Sequence, residues 1–148
     1  MNKRIVLITA CGNKKEEEPT IAGRLYKSPR IRYLYKKSKE LGLDFYILSA
    51  KYGLISGDEI VEPYDQVMDK AQCEKLKSKI RDVLKNFDII IYYKGGARKE
   101  YLECLEMIAK ELNKKFETFG YGNMGDIGKL EEKLEEILNG SSTASSIS

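Results

Sequence analysis

Residues 45–54 read Phe45-Tyr46-Ile47-Leu48-Ser49-Ala50-Lys51-Tyr52-Gly53-Leu54. The apolar run from Phe45 to Leu48 is too short for a helix and is bounded by polar residues and glycine, which predicts a buried strand. Ser49, Lys51 and Gly53 follow at the point where a parallel strand would reach the carboxyl edge of its sheet. Because open α/β sheets bind ligands at that edge, this stretch predicts both the fold class and the place of a site.

The rest of the chain alternates predicted strands with predicted helices. Further strands are expected at residues 3–9, 88–93 and 115–119, and helices at 29–41, 69–86, 97–112 and after 128. Ser28 and Asp69 are expected N-caps, and Gly42 is expected to end the first long helix. The pattern predicts one three-layer Rossmann-like α/β domain over residues 1–138, with a mainly parallel sheet of about four strands. Residues 139–148 are rich in Gly and Ser, which predicts a disordered tail.

Composition excludes several classes of function. The chain has 148 residues, of which 42% are hydrophobic and 33% charged, as in soluble globular proteins. No apolar run approaches the length of a membrane helix, so we expect a cytoplasmic protein without a membrane partner. Its Lys- and Glu-rich composition is typical of a thermophile's surface, although a biased genome would produce the same composition.

Histidine is absent, which removes Ser-His and Cys-His nucleophile pairs and H-E-x-x-H metal chemistry. The three widely spaced cysteines support neither a zinc finger nor a disulfide framework. Cys73 and Cys104 lie in predicted helices and are expected to pack there as small apolar side chains. We expect no metal and no cofactor.

The basic residues are concentrated at the amino-terminal end. Residues 1–40 hold 11 Lys and Arg against 4 Glu, an excess of +7, while the remainder carries −4 of the total of +3. This asymmetry predicts an anionic partner, with a solvated Lys-rich helix face as the alternative. The expected basic face contains Arg24, Lys27, Arg30, Arg32, Lys36 and Lys37.

Three strand-to-helix connections are expected to converge at one edge of the sheet and to form an anion site. They contribute Cys11, Gly12, Lys14 and Lys15, then Ser49, Lys51, Tyr52 and Gly53, then Lys94, Gly95 and Gly96. Each residue type also has a structural explanation: a packed thiol, a solvated lysine or a glycine turn. Lys51 is expected to be partly buried with Asp65 as its partner, although Tyr64 and Asp65 could merely close a turn.

A Gly-rich segment follows the fourth predicted strand. Residues 120–125 match G-x-G-x-x-G, but no later strand supplies the acidic residue that a dinucleotide site needs about 20 positions on. A loop over the shared edge is therefore favoured over a dinucleotide site.

Four motifs occur in order along the chain. They are Cys11-Gly-Asn-Lys-Lys15, Leu25-Tyr-Lys-Ser28, Ile47-Leu-Ser-Ala-Lys-Tyr-Gly-Leu54 and Pro63-Tyr-Asp65. They resemble a family of small prokaryotic and phage α/β proteins of unassigned function, with C-x-x-K, L-Y-x-S, L-S-A-K-[YH]-G-L and P-Y-[DE] motifs. Lys27-Ser28 and the Cys11 loop are also similar to elements of the YaaA-like DNA-binding proteins and of the archaeosine synthase core domain. These similarities imply a nucleic-acid or nucleobase context.

The first hypothesis is an enzyme that acts on a nucleotide, nucleoside or nucleobase, including base modification in nucleic acid. Asp65 would be the acid or base, Lys51 would hold phosphate, and Cys11 would be a nucleophile if nearby lysines lower its pKa. Expected ligand-binding residues are Gly12, Lys14, Lys15, Tyr26, Ser28, Ser49, Gly53, Tyr64, Gly95 and Gly96. The alternatives are a non-catalytic nucleic-acid-binding module related to YaaA-like proteins, and an interaction domain whose motifs are structural.

Overall fold

The computed structural model describes residues 4–12, 15, 17–95, 97–120 and 132, and these form a mixed α/β structure. In chain order the elements are β1 (Ile5–Ala10), β2 (Thr20–Ile21), α1 (Ala22–Leu25), α2 (Pro29–Leu41), β3 (Asp44–Ser49), β4 (Gly53–Ser56), β5 (Ile60–Val61), α3 (Lys70–Leu84), β6 (Ile89–Tyr93), α4 (Lys99–Glu111) and β7 (Lys115–Phe119).

The main sheet has five strands in the order β4-β3-β1-β6-β7. Strands β3, β1, β6 and β7 are parallel, and β4 runs antiparallel to β3. Every residue of β1 and β6 is buried, which explains why these strands read as continuous apolar runs. The register pairs Ala10 with Leu48 and Thr9 with Tyr93, so the three inner strands end together at one edge.

The prediction of four strands missed the antiparallel edge strand. Residues 54–67 were expected to be a connection without regular structure, yet β4 begins at Gly53 and pairs back onto β3. Gly53 has a φ of 82°, a left-handed conformation that glycine adopts without strain and that turns the chain back within a few residues. A short antiparallel ribbon of β2 and β5 and the short helix α1 were not predicted either.

The predicted helix boundaries are confirmed where capping residues mark them. The Ser28 hydroxyl accepts the Ile31 N–H at 3.3 Å, and Gly42 ends α2 with a φ of 70°. The Asp69 carboxylate accepts the Gln72 N–H at 2.7 Å at the start of α3. Strand β7 has the predicted bounds, and α4 begins at Lys99, two residues later than expected.

Cys73 and Cys104 form a disulfide between α3 and α4, with 5.9 Å between their Cα atoms. The interpretation of both as unbonded packing residues was therefore wrong, as was the view that the spacing supports no disulfide. The two cysteines are 31 positions apart, and only the packing of α3 against α4 brings them together.

Three sequence predictions lie almost entirely outside the described residues. They are the last helix, of which only Glu132 is described, the Gly-rich segment after Gly120, and the tail at 139–148. No helix in the part of the chain that the structure describes is long and apolar enough to cross a membrane.

Candidate active site

The sheet's connections change direction at the carboxyl ends of β1 and β6, a place that we call the crevice. β1 leads through α2 to β3 on one side, whereas β6 leads through α4 to β7 on the other. Open α/β sheets bind their ligands outside the carboxyl ends of the strands at such a point. Cys11 follows β1 there, and Lys94 and Gly95 follow β6. Cys11 and Ser49 thus lie at the same edge, as the sequence predicted.

Cys11 presents a buried free thiol at this edge. The residue is 9% exposed, and its N–H donates to the Leu48 carbonyl at 3.0 Å, which ties it to the end of β3. Its Sγ lies 3.2 Å from the Tyr101 hydroxyl on α4. Because Cys73 and Cys104 are joined in the disulfide, Cys11 is the single free cysteine of the three in the chain.

Two further tyrosines adjoin the thiol. The hydroxyls of Tyr26 and Tyr64 are 2.6 Å apart, and Tyr26 is fully buried. The Tyr64 ring meets the Tyr26 and Tyr52 rings edge-on, with centroids 6.3 and 5.3 Å away. The Lys15 ammonium lies 4.4 Å from the Tyr64 ring centroid, within the range of a cation–π contact. Aromatic faces and hydroxyls therefore line one wall of the site.

The three phenols keep their protons at neutral pH. Burial raises the pKa of Tyr26, Tyr64 and Tyr101 well above the usual value, and the nearby Cys11 sulfur raises each of them further. Hydrogen bonds to Ser49 offset part of the rise in the pKa of Tyr26 and Tyr64. Neutral phenols can donate hydrogen bonds to the sulfur or to a ligand.

Ser49 holds the turn that follows β3. Its fully buried hydroxyl accepts the N–H groups of Lys51 at 3.1 Å and Tyr52 at 3.0 Å. The strand therefore ends at Ser49, and strand alternation does not extend to Lys51.

Lys51 is exposed at the tip of the β3–β4 hairpin, with its ammonium 5.3 Å from the Tyr52 ring centroid. The expectation that Lys51 is partly buried was wrong, because the chain turns at residues 50–52 and carries Lys51 away from the sheet edge. Asp65 is also exposed, and the two side chains, both within the described residues, form no ion pair.

The remaining predicted residues are distributed around the crevice. Gly12 lies beside the Cβ atoms of Tyr26 and Ser28, and Ser28 caps α2. Lys14 and Gly96 fall outside the described residues. Gly53 lies in the hairpin, facing α3.

Sequence reasoning assigned Arg30 to the basic face and missed its place in the site. Its Nη2 donates to the Ala10 carbonyl at 3.0 Å, at the end of β1. A Cβ at Gly95 would lie 2.7 Å from Arg30 Cδ, so the guanidinium also packs against the end of β6. Burial lowers the pKa of Arg30. A cation in the first turn of a helix is electrostatically unfavourable, and this signal could have marked Arg30 as special.

The other residues of the predicted basic face are mostly solvent-exposed: Arg24, Lys27, Arg32 and Lys36. Lys37 is half-buried and forms an ion pair with Glu40 at 3.4 Å. Apart from Arg30, the predicted basic face is therefore mostly solvent-exposed surface.

These features define a mixed α/β protein with a mostly parallel sheet, and they make the thiol and tyrosines at its carboxyl edge a candidate site. The chain belongs to a family of unknown function, DUF6884, whose model matches residues 5–123. Membership of a family of unassigned function was predicted from the motifs. No curated protein and no solved structure matches the chain.

Proposed function

We propose that this protein is an enzyme that acts on a nucleotide, nucleoside or nucleobase, with its site at the carboxyl edge of a Rossmann-like three-layer domain. The observation that supports this proposal is the buried free thiol of Cys11, surrounded by the protonated hydroxyls of Tyr26, Tyr64 and Tyr101. Right-handed crossovers from β1 to β3 and from β6 to β7 would place α2 and α4 on opposite faces, as in that fold.

The tyrosines suit a heteroaromatic ligand. Tyr52 and Tyr64 are half-buried, so their rings can offer an apolar face while their hydroxyls remain available for hydrogen bonds. Stacking against aromatic side chains and hydrogen bonds to base edges are the usual means of holding an unpaired base. The similarity to YaaA-like proteins and to the archaeosine synthase core supports a nucleobase context for the same site.

Cys11 and Tyr101 can together add a thiol across a polarised double bond of a base. The sulfur forms a bond to the electrophilic ring carbon, and the electron pair of the double bond moves to the neighbouring ring atom. Tyr101 gives its proton to that atom and takes the thiol proton, so it is a neutral phenol before and after the step. The 3.2 Å contact between Sγ and the Tyr101 hydroxyl permits this exchange.

Binding and adduct formation test the proposal. A panel of nucleobases, nucleosides and nucleotides is titrated by calorimetry, and intact-protein mass spectrometry detects a covalent adduct. We expect at least one member of the panel to bind. Cys11→Ala should retain binding and lose the adduct, whereas Tyr101→Phe should slow adduct formation.

Tyr33→Phe is the matched control for Tyr101→Phe, because Tyr33 is exposed on α2. It should behave like the unmodified protein in both measurements. Failure of every member of the panel to bind would refute the proposal, and an adduct that persists in Cys11→Ala would refute the role of the thiol.

A non-catalytic nucleic-acid-binding module is the second candidate, favoured by a basic groove beside α2. Arg24, Arg32, Lys36 and Lys39 line this groove together with Glu18 and Glu40. Phosphate contacts by these cations would make the affinity fall linearly with salt on logarithmic axes. Titration with RNA and DNA at low and moderate salt tests this function, and no binding at low salt would exclude it.

A cytoplasmic location is part of the proposal. Disulfides are rare in most cytosolic proteins, but intracellular proteins of hyperthermophiles are an exception. The Cys73–Cys104 disulfide is thus compatible with a cytoplasmic protein of a thermophile, which the Lys- and Glu-rich composition also suggests. Measuring the redox state of these cysteines in intact cells by thiol trapping checks this.

A further inference from the structure

Arg30 joins the two strand ends that form the crevice. Its Nη2 bonds the Ala10 carbonyl at the end of β1, and its Cδ and Nη1 lie where a side chain at Gly95 would otherwise be. Cys11, Tyr93 and Tyr101 are near enough to act electrostatically on the guanidinium. A strong cation therefore lies inside the site, beside the free thiol.

Most of the hydrogen-bonding capacity of Arg30 is unused. A guanidinium has five N–H donors, and within the described part of the chain Arg30 uses Nη2 alone, on the Ala10 carbonyl. Among the described residues, no fully buried side-chain nitrogen lacks a partner. The remaining nitrogens of Arg30 are therefore not fully buried and can still donate to a ligand.

No carboxylate neutralises Arg30 in the part of the chain that the structure describes. The groups that act on it are tyrosines and the Cys11 thiol, and its desolvation is the largest effect on its pKa. Later on the same helix, Lys37 pairs with Glu40 and Lys39 pairs with Asp58. Even the exposed Lys39 thus has a carboxylate partner. A half-buried cation without a carboxylate is costly unless an anion completes the site.

We propose that Arg30 is the anion-binding residue of this site and holds an oxyanion of the substrate, a phosphoryl or carboxylate group, in the crevice beside Cys11. The proposal rests on the proposed function for the identity of that substrate. A guanidinium fork binds both oxyanions in a bidentate manner, whereas a lysine provides a point charge. The tyrosine wall and the cation together fit a substrate with an aromatic part and an acidic part, such as a nucleotide, better than an uncharged nucleobase.

Titration with inorganic phosphate and with acetate tests the anion site without knowledge of the substrate. Calorimetry is performed at constant ionic strength, with chloride as the balancing anion, on the unmodified protein and on three variants. Arg30→Met should weaken binding by about 10- to 100-fold, the loss expected for charge-assisted hydrogen bonds. The affinity of Arg30→Lys should lie between those of the unmodified protein and of Arg30→Met, because lysine keeps the positive charge but loses the two-pronged geometry of the guanidinium.

Arg81→Met is the matched control. Arg81 is on α3, is exposed, does not line the basic groove, and lies 3.9 Å from Glu111 rather than against a strand end. Its loss removes the same charge from the protein and should leave the affinity unchanged. Melting curves identify a variant that has failed to fold. If Arg30→Met does not fold, the anion affinity of Arg30→Lys tests the role of Arg30.

Equal affinities in the unmodified protein and in a folded Arg30 variant would overturn the proposal, as would no binding of either anion. Preference for phosphate assigns a phosphoryl group, and preference for acetate assigns a carboxylate. The proposed function fails separately: if phosphate binds through Arg30 and no nucleobase, nucleoside or nucleotide binds, the anion site stands without it. If a nucleoside binds and the affinity for neither phosphate nor acetate depends on Arg30, the anion site is wrong and the proposed function stands.

Discussion

The crevice between β1 and β6 and the tip of the β3–β4 hairpin lie at the same end of the sheet, but a cationic side chain is partly buried in the first and exposed in the second. In the crevice, Arg30 is held against two strand ends and partly desolvated. At the hairpin tip, Lys51 is exposed beside Tyr52. The difference arises because a parallel strand must leave the sheet through a crossover, which covers its end, whereas an antiparallel partner needs only a short turn. Covered strand ends are therefore where this protein can build a dry, charged site.

The largest expected difference between the two regions concerns their tyrosines. Tyr26→Ala removes a fully buried aromatic ring and the partner of the Tyr64 hydroxyl, and it should cost about 3–5 kcal/mol in the free energy of unfolding. Tyr52→Ala, at the half-buried hairpin, should cost clearly less. Urea denaturation of both variants measures the two losses. Equal losses would show that the crevice is not the better packed region.

Glycine substitutions give the next largest difference. Gly95 has a φ of 55°, and a Cβ there would lie 2.7 Å from both Arg30 Cδ and Nη1. Gly53 has a φ of 82°, but its Cβ would meet Lys79 at a tolerable 3.4 Å. Both changes strain the backbone by about 1–3 kcal/mol, and Gly95→Ala should additionally displace Arg30.

A double-mutant cycle isolates that second effect. In an Arg30→Met background, the excess cost of Gly95→Ala should decrease because a flexible side chain replaces the fixed guanidinium. Gly53→Ala should cost the same in both backgrounds. An excess cost of Gly95→Ala that is unchanged by Arg30→Met would contradict the packing of Arg30 against β6.

Alkaline pH should distinguish the buried tyrosines of the crevice from exposed ones. Because the pKa of Tyr26 is raised in the folded protein, the native state retains a proton that the unfolded chain releases above pH 10. The stabilisation is complete below that pH and should decrease by about 1.4 kcal/mol per pH unit above it for each such tyrosine.

Urea denaturation at pH 9, 10 and 11 measures this slope. Tyr26→Phe should remove its share of the slope, and the exposed Tyr33→Phe should leave the slope unchanged. A slope that does not respond to Tyr26→Phe would contradict the burial of that hydroxyl.

Lys51→Ala should have the smallest effect on stability, within about 0.5 kcal/mol, because it alters an exposed side chain. The sequence interpretation also predicts that this change abolishes ligand binding. The exposed position predicts a smaller loss of phosphate affinity than Arg30→Met causes. Titration of both variants with phosphate decides between them, and a larger loss in Lys51→Ala would move the anion site to the hairpin tip.

Local signals in the sequence predicted most of the fold. Ser28, Gly42 and Asp69 mark helix ends because their effects are on backbone groups within a few residues. The apolar runs of β1 and β6 identified the buried centre of the sheet for a similarly local reason. The antiparallel direction of β4 was missed because Gly53 is compatible with either a loop or a reversal, and pairing with β3 decides between them.

The amino-acid sequence by itself therefore determined the α/β class, the capped ends of α2 and the capped start of α3, and the edge of the sheet where polar residues gather. Only the tertiary structure decided which of those residues meet. Cys11 and Tyr101 are 90 positions apart, Tyr26 and Tyr64 are 38 apart, and Cys73 and Cys104 are 31 apart. No local pattern specifies such contacts, because they follow from how the strands are ordered and how helices pack across them. The place of Arg30 could not be predicted for the same reason. Its position in the sequence is that of a surface helix residue, and only its contacts with the ends of β1 and β6 make it part of the crevice.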